Sequence, residues 1–296
     1  MLPYKSLEEA EVAIGRGLTH AETIWFKYSS NKSDFVLHFH NIIFFWVFYS
    51  FAPIPFLLIE LSGNKKLNKY KIQPKEKKSF WEMFKCYKHV IKLSFYAVLP
   101  LQIVSYAITK WIGIGTGLPL PSGWELICQL VIYFMVEDYT SYWLHRMVHN
   151  WDWAYEKIHK VHHEYETPFA LSAPYSHWSD VLILSSPALV GPAMVPCHII
   201  TYWLWFIFRH MEALDTHSGY EFPWSLTKYI PFYVGAKYHD YHHYVGGRSK
   251  CNFSTVFTYC DYLYGTNKGY QYAKQIGKKT PPTYNSIDEN HHSKMD

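Results

Sequence analysis

Eight of the chain's eighteen histidines fall in three short motifs. His145 and His149 stand four apart. His159, His162 and His163 form HxxHH, and His239-Asp240-Tyr241-His242-His243 repeats that form. On a helix, residues three and four apart share a face, so each motif is read as aiming two or three imidazoles at one point. Imidazole is the commonest metal ligand and suits iron, zinc, copper and nickel. A lone histidine is usually a packing or surface residue, but three motifs at helical spacing are hard to explain that way. They contain no cysteine, which counts against a cysteine-rich structural zinc site. A single tetrahedral zinc cannot use eight imidazoles. The pattern predicts a polyhistidine centre for two metal ions. Iron leads if the chemistry is redox, and zinc or copper stay open on a nitrogen donor set alone.

His217 lies just before the last motif and is the ninth candidate ligand. His177, Asp138 and Asp240 are read as further ligands or as groups supporting them. Metal-bound imidazoles usually donate their second N–H to a carboxylate or carbonyl, and Glu137, Glu164, Asp215 and Asp261 are also placed for that. His210, at the end of an apolar run, is one more candidate. His20, His38, His40, His89, His198, His291 and His292 read as surface or packing residues. No catalytic side chain beyond the metal ligands is assigned.

These motifs sit between apolar runs. Charged residues are 18% of the 296-residue chain and aromatics 19%; soluble domains average roughly 25% charged. Residues 42–59 carry no charge, about one bilayer crossing, with Pro53 and Pro55 expected to kink the end. Residues 61–92 hold ten lysines against two glutamates, the mark of a cytosolic loop under the positive-inside rule. Residues 93–117 form a second apolar span, interrupted by Pro100 and Lys110. Leu118-Pro119-Leu120-Pro121-Ser122-Gly123 is a turn. A helix over 125–149 then carries the first histidine pair at its polar end. Residues 181–208 lack Asp, Glu, Lys and Arg. As one helix they would reach roughly 42 Å, and Pro187, Pro192 and Pro196 favour a hairpin of two crossings instead. With the lysine loop in the cytosol, this layout brings all three histidine motifs to the cytosolic face; a single crossing at 181–208 would strand the third.

Other signals are structural. Ser6-Leu7-Glu8-Glu9 fits a helix-opening capping box. The first thirty residues lack the apolar stretch of a cleavable signal peptide. Five dispersed cysteines read as free thiols. The net charge of +4, without a basic stripe of stacking aromatics, excludes nucleic acid as a partner. Gly246-Gly247 marks a turn, and the tail from Tyr272 reads as loose. The fold expected is an all-α integral membrane protein with about four transmembrane helices in hairpins and a cytosolic helical di-metal domain. Its parts are a polar segment (1–41), a first membrane hairpin (42–117), a catalytic region (118–270) and the tail (271–296).

The order HxxxH, HxxHH, HxxHH between membrane hairpins resembles the fatty acid hydroxylase superfamily of membrane di-iron oxygenases. Several segments are similar to its sterol branch, the C-4 methylsterol monooxygenases: Lys157-Ile158-His159, His217-Ser218-Gly219-Tyr220, Phe222-Pro223-Trp224, Asn252-Phe253 and Asp261-Tyr262-Leu263-Tyr264-Gly265-Thr266. Tyr70-Lys71-Ile72-Gln73-Pro74 and Met83-Phe84-Lys85-Cys86-Tyr87 resemble the plant 4,4-dimethylsterol type. The histidine motifs carry only the superfamily, and the segments between them carry the sterol branch, over about residues 1–270. The resemblance implies a multi-pass endoplasmic reticulum enzyme with two iron ions. It implies oxidation of the 4α-methyl group of a 4,4-dimethylsterol, through alcohol and aldehyde to carboxylate. It further implies electrons from NAD(P)H through cytochrome b5 and its reductase, and association with a sterol C-4 decarboxylase/dehydrogenase complex. The lysine loop would dock an acidic donor. Trp143, Tyr175, Trp178, Tyr202, Trp203 and Trp205 read as interfacial belt residues or as the lining of a sterol slot. The rival readings are another lipid hydroxylase, a desaturase or an aldehyde-processing enzyme of the superfamily, and a non-catalytic metal-binding membrane protein. The last would want polar ligands inside the spans, whereas these lie outside them.

Overall fold

Hydroxyl side chains mark where the helices begin. In a computed structural model that describes residues 2–245 and 251–271, Ser6 caps α1 (Leu7–Ile14) by accepting from the Glu9 N–H. Thr19 and Glu22 form a reciprocal capping box on α2 (His20–Ser29), and Ser33 caps α3 (Asp34–Phe51). Such caps are worth about 1 kcal/mol each. Pro53 separates α3 from α4 (Ile54–Ser62), the kink expected there. A short α5 (Lys65–Asn68) follows. Among the described residues there is no strand, only isolated bridges such as Lys71 with Tyr220 and Gly115 with His198.

The lysine-rich stretch is not all loop. A capping box of Ser79 and Glu82 starts α6 (Phe80–Leu93). Met83, Cys86, Val90 and Leu93 form its buried stripe, with Lys85, Lys88 and Lys92 outside. The sequence reading missed this helix because an amphipathic helix shows its lysines at a period that resembles a solvated run. A π-turn at Ser94–Val98 leads into α7 (Leu99–Trp111). Pro100, which has no N–H to donate, falls just after that turn, so the helix passes it without breaking.

Two stretches are long and apolar enough to cross a membrane: Asp34–Ser62 and Phe80–Trp111. Only 22% of the residues in the most apolar window of each are buried, so most of their apolar side chains, among them Val47, Phe51, Phe95 and Val104, face outward. The other two helical stretches of the expected four do not reach that measure. In α8 (Gly123–Asn150), Glu125, Gln129, Glu137 and Asp138 interrupt the apolar run. The stretch after residue 177 is divided into α10 (Trp178–Ser185), a 3-10 turn, α11 (Val190–Met194) and α12 (Ile199–Thr216). Between α11 and α12 it is tied to the loop after α7: Gly115 N–H bonds the Cys197 carbonyl and Ile199 N–H the Gly115 carbonyl, at 2.9 and 2.7 Å.

α8 packs on α11 and α12, and α12 packs on α3. One core holds Trp25, Leu37, Tyr133, Tyr202 and Trp205, with His198 against Trp25 and His38 against Tyr202. A second, with Ile42, Phe45, Tyr49, Met83 and Leu171, joins the two apolar helices to the polar lobe. The lobe consists of α9 (Asp152–Lys157), a 3-10 turn at His159–Glu164, α13 (Gly235–Tyr244) and α14 (Tyr259–Leu263). The Gly246-Gly247 turn and the tail beyond residue 271 lie outside the described residues. None of the five cysteines is in a disulfide.

Candidate metal centre

Nine imidazoles converge from four elements. His145 and His149 leave the last turns of α8, and His159, His162 and His163 come from the 3-10 turn. His217 ends α12, while His239, His242 and His243 lie on α13. They form two groups. In one, ring nitrogens of His145, His149, His159, His163 and His242 lie within 4.8 Å of one another; in the other, those of His162, His217, His239 and His243 do.

Neither HxxHH motif points at a single place. Each supplies both groups, two imidazoles to one and the third to the other. Neighbouring residues on a helix are rotated by about 100–120°, so adjacent histidines cannot share a focus. The rings of His162 and His163 are 85° apart, and those of His242 and His243 87°. Each i, i+4 pair stays together, with ring centres 4.8 to 4.9 Å apart in 145/149, 159/163 and 239/243. The groups meet where His163 stacks on His243 at 4.4 Å. The doubled motif therefore feeds both groups.

Backbone carbonyls and one carboxylate fix the rings. Nδ1 of His145 donates to Phe253 O at 2.7 Å, His162 to Tyr175 O at 3.0 Å, His217 to Ala213 O at 2.8 Å and His242 to Cys251 O at 2.9 Å. His159 Nδ1 donates to Asp180, 3.0 Å to Oδ2. These bonds leave Nε2 facing inward. In the second group, Nε2 of His217 lies 3.3 Å from that of His162 and 3.1 Å from that of His239.

The ring chemistry fits metal. Nε2 of His159 and His242, Nδ1 of His239, and both ring nitrogens of His163 and His243 are buried without a hydrogen-bond partner. A buried unpaired nitrogen is costly, and a cation at each focus would satisfy Nε2 of His159 and His242 and one nitrogen each of His163 and His243. Burial, reinforced by neighbouring imidazoles, pushes His162 down to about 4 and His217 to about 3. Burial likewise takes His242 to about 3. His145, His163, His239 and His243 fall well below the usual histidine range for the same reasons. Neutral imidazole is the form that binds metal. Burial opposes the charge of Asp180, yet attraction to His159 holds its carboxyl below the ordinary range.

Asp180 is the supporting carboxylate that the sequence reading missed. Its signal was its place: it is the last charge before the uncharged run of 181–208. His177 joins neither group but caps α10, accepting from Ser179 N–H, and so starts the helix that carries Asp180. Asp138 takes the N–H groups of Val256 and Phe257. Asp240 accepts from Gln73 Nε2 at 3.0 Å, and Thr167 donates to Gln73 Oε1. Glu137 pairs with Arg209, Glu164 with the Tyr175 hydroxyl and Asp215 with the Tyr233 hydroxyl. None of these carboxylates has a hydrogen bond to one of the nine histidines.

Two loops explain the segments around the motifs. Asp261, fully buried, accepts from the N–H groups of Phe253 and Ser254 and from the hydroxyls of Tyr238 and Thr266. It thereby shapes the strip whose carbonyls hold His145 and His242. Asn252 sits in the left-handed region (φ 58°) and donates to Tyr238 O. On the other side, Ile72 N–H bonds Gly219 O, and Glu221 N–H bonds Tyr70 O. Lys71 and the Tyr220 hydroxyl share Glu60 at 2.5 and 2.7 Å. The lysine-rich segment thus clamps the loop behind His217.

A cavity of about 260 Å³ opens beside the imidazoles. His145, His159, His162, His217 and His239 line it together with the apolar Phe45, Tyr49, Leu93, Val98, Val181 and Leu184. The six aromatics named from the sequence do not line it. Tyr202 and Trp205 belong to the core around Trp25 and Tyr133, and Trp143 and Trp178 are 40% and 49% exposed.

The site defines a class: a helical protein with membrane-length apolar helices and a buried two-site histidine centre able to bind metal. The fatty acid hydroxylase family model matches residues 130–266. Methylsterol monooxygenase 1-2 of Arabidopsis thaliana is 56% identical over 278 residues, 93% of each chain, and methylsterol monooxygenase 1-1 of the same plant is 55% identical over the same shares. A protein of Oryza sativa subsp. japonica named as a very-long-chain aldehyde decarbonylase is 56% identical over 279 residues, 94% of this chain and 92% of that one. The chain belongs to the fatty acid hydroxylase family. No solved structure matches it.

Proposed function

We propose that the protein is a membrane monooxygenase that oxidises the C-4 methyl group of methylsterols, the 4α-methyl of 4,4-dimethylsterols in particular. The observation that carries this is an apolar cavity opening directly onto two convergent groups of neutral imidazoles. Identity of 53–56% to three methylsterol monooxygenases of Arabidopsis thaliana supports the sterol as substrate.

His145, His149, His159, His163 and His242 would hold one iron ion, and His162, His217, His239 and His243 the other. Iron bound there would supply dioxygen chemistry strong enough for an unactivated methyl C–H, which no side chain can oxidise. The protein does the rest. Five Nδ1 hydrogen bonds fix the rings before any metal arrives. Phe45, Tyr49, Leu93 and Leu184 seat the hydrocarbon and keep water from it.

Electrons come from NAD(P)H through cytochrome b5 and its reductase. Exposed Lys65, Lys66, Lys69, Lys75 and Lys77, with Lys85, Lys88 and Lys92 of α6, form a basic surface for such an acidic donor. The protein spans the endoplasmic reticulum membrane several times with the histidines on the cytosolic side. The stretch after residue 177 supports that reading: it starts beside His159 at Asp180 and returns to the centre at His217. A sterol C-4 decarboxylase/dehydrogenase complex would take the carboxylated product.

The rice relative's name favours a second reading, an aldehyde-processing enzyme on the same centre. The sterol profile of cells lacking the protein separates them. Accumulation of 4,4-dimethylsterols supports the sterol reading, and an unchanged sterol profile with altered very-long-chain aldehydes supports the other.

A further inference from the structure

α12 presents a face that the metal centre does not use. Arg209, Glu212, Ala213 and Thr216 line the cavity from successive turns, ahead of His217. The Arg209 guanidinium lies between two carboxylates: its Nε is 2.7 Å from Glu137 Oε2, and Nη1 pairs with Glu212 Oε2. Both carboxylate side chains are more than nine-tenths buried, at 6% and 8% exposed. One cation against two carboxylates leaves an acidic group in excess, and Glu212 Oε1 is buried with no hydrogen-bond partner. A fold that leaves such an atom unpaired carries a standing cost, removed when a ligand brings a polar group. Of the charged residues lining the cavity, Asp180 is committed to His159, which leaves Arg209 and Glu212.

The matching ligand group follows from the sterol reading, on which this inference rests. A sterol is a hydrocarbon with one alcohol, on C-3, the ring neighbour of C-4. Whatever holds that alcohol must lie beside the imidazoles at which the methyl group is oxidised. Glu212 does: it precedes His217 on α12 by little more than one turn and shares a cavity with His145 and His159. We infer that Glu212, held by Arg209, hydrogen-bonds the C-3 alcohol through Oε1 and is the residue that sets the methyl group against the histidines. An alcohol both donates and accepts, so it satisfies Oε1 with or without a proton on it.

Holoenzyme in detergent micelles, without oxygen or reductant, binds sterol and does not turn it over. Dissociation constants are measured by equilibrium dialysis for a 4,4-dimethylsterol and its 3-deoxy analogue. The wild type binds the alcohol at least about tenfold more tightly, as sites built to hydrogen-bond a hydroxyl do. Glu212→Ala loses that preference and binds the 3-deoxy analogue as the wild type does; Arg209 keeps Glu137, so no lone charge is left. Glu212→Gln, which can still hydrogen-bond, retains most of the preference. Equal losses for both ligands, or a preference that survives in Glu212→Ala, overturn the role of Glu212 and leave the sterol reading standing. Wild-type protein that binds neither sterol contradicts the sterol reading itself.

Discussion

The Asp180 carboxylate receives the Nδ1–H of His159 at 3.0 Å, both side chains almost fully buried. This contact fixes which nitrogen of His159 faces the histidine group. Asp180→Ala is expected to lower metal affinity about 10- to 100-fold, measured by competition with a chelator of known affinity. Affinity equal to the wild type would show that His159 is oriented by packing alone.

The nine histidines that converge were legible in the sequence, but not their division into two groups. Spacing tells which residues share a helix face; it does not tell that His162 and His242 each cross to the other group. That depends on how the 3-10 turn at His159–Glu164 and α13 face each other. The supporting groups were harder still. Phe253 O and Cys251 O are backbone atoms, and no side-chain pattern announces a carbonyl. The cavity wall was misplaced for a similar reason: Phe45 and Tyr49 look like any apolar pair in a membrane-length helix until α12 packs beside them.

Gly235 opens α13 at φ 63°, where a Cβ would come 2.1 Å from Thr227 Cγ2. Thr227 cannot swing away without losing its bonds to Glu221 and Ser225. Gly235→Ala should therefore cost about 1–3 kcal/mol and tilt the helix that carries His239, His242 and His243. Thermal unfolding and bound-metal content should fall together, and a variant with both unchanged would refute the strain.

Acid should destabilise the metal-free protein. His217 and His242 sit at about 3 when folded, below the ordinary 6.5. As pH falls, the unfolded chain therefore takes up protons first. Their contribution to stability is whole above pH 6.5 and is lost as pH drops toward 3, at about 1.4 kcal/mol per unit for each histidine. Unfolding temperatures measured after chelation should be highest at neutral pH and decline steadily below pH 6.5; a rise on acidification would contradict the buried neutral cluster.

The basic surface gives a kinetic prediction. Reversing Lys65, Lys66, Lys69, Lys75 and Lys77 to glutamate should raise the cytochrome b5 concentration needed for half-maximal turnover, with a reduced salt dependence. Lys71 is left out because it pairs with Glu60. An unchanged donor dependence would remove the docking role from this face.

Oxidation of a sterol methyl group beside the two imidazole groups is read out by product analysis. Microsomes carrying the protein are given a 4,4-dimethylsterol, a 4-monomethylsterol and a very-long-chain aldehyde side by side, with NADH and air. A 4-carboxysterol is expected from the 4,4-dimethylsterol, dependent on NADH and dioxygen and absent in His242→Ala. Loss of the aldehyde with every sterol recovered intact would contradict it.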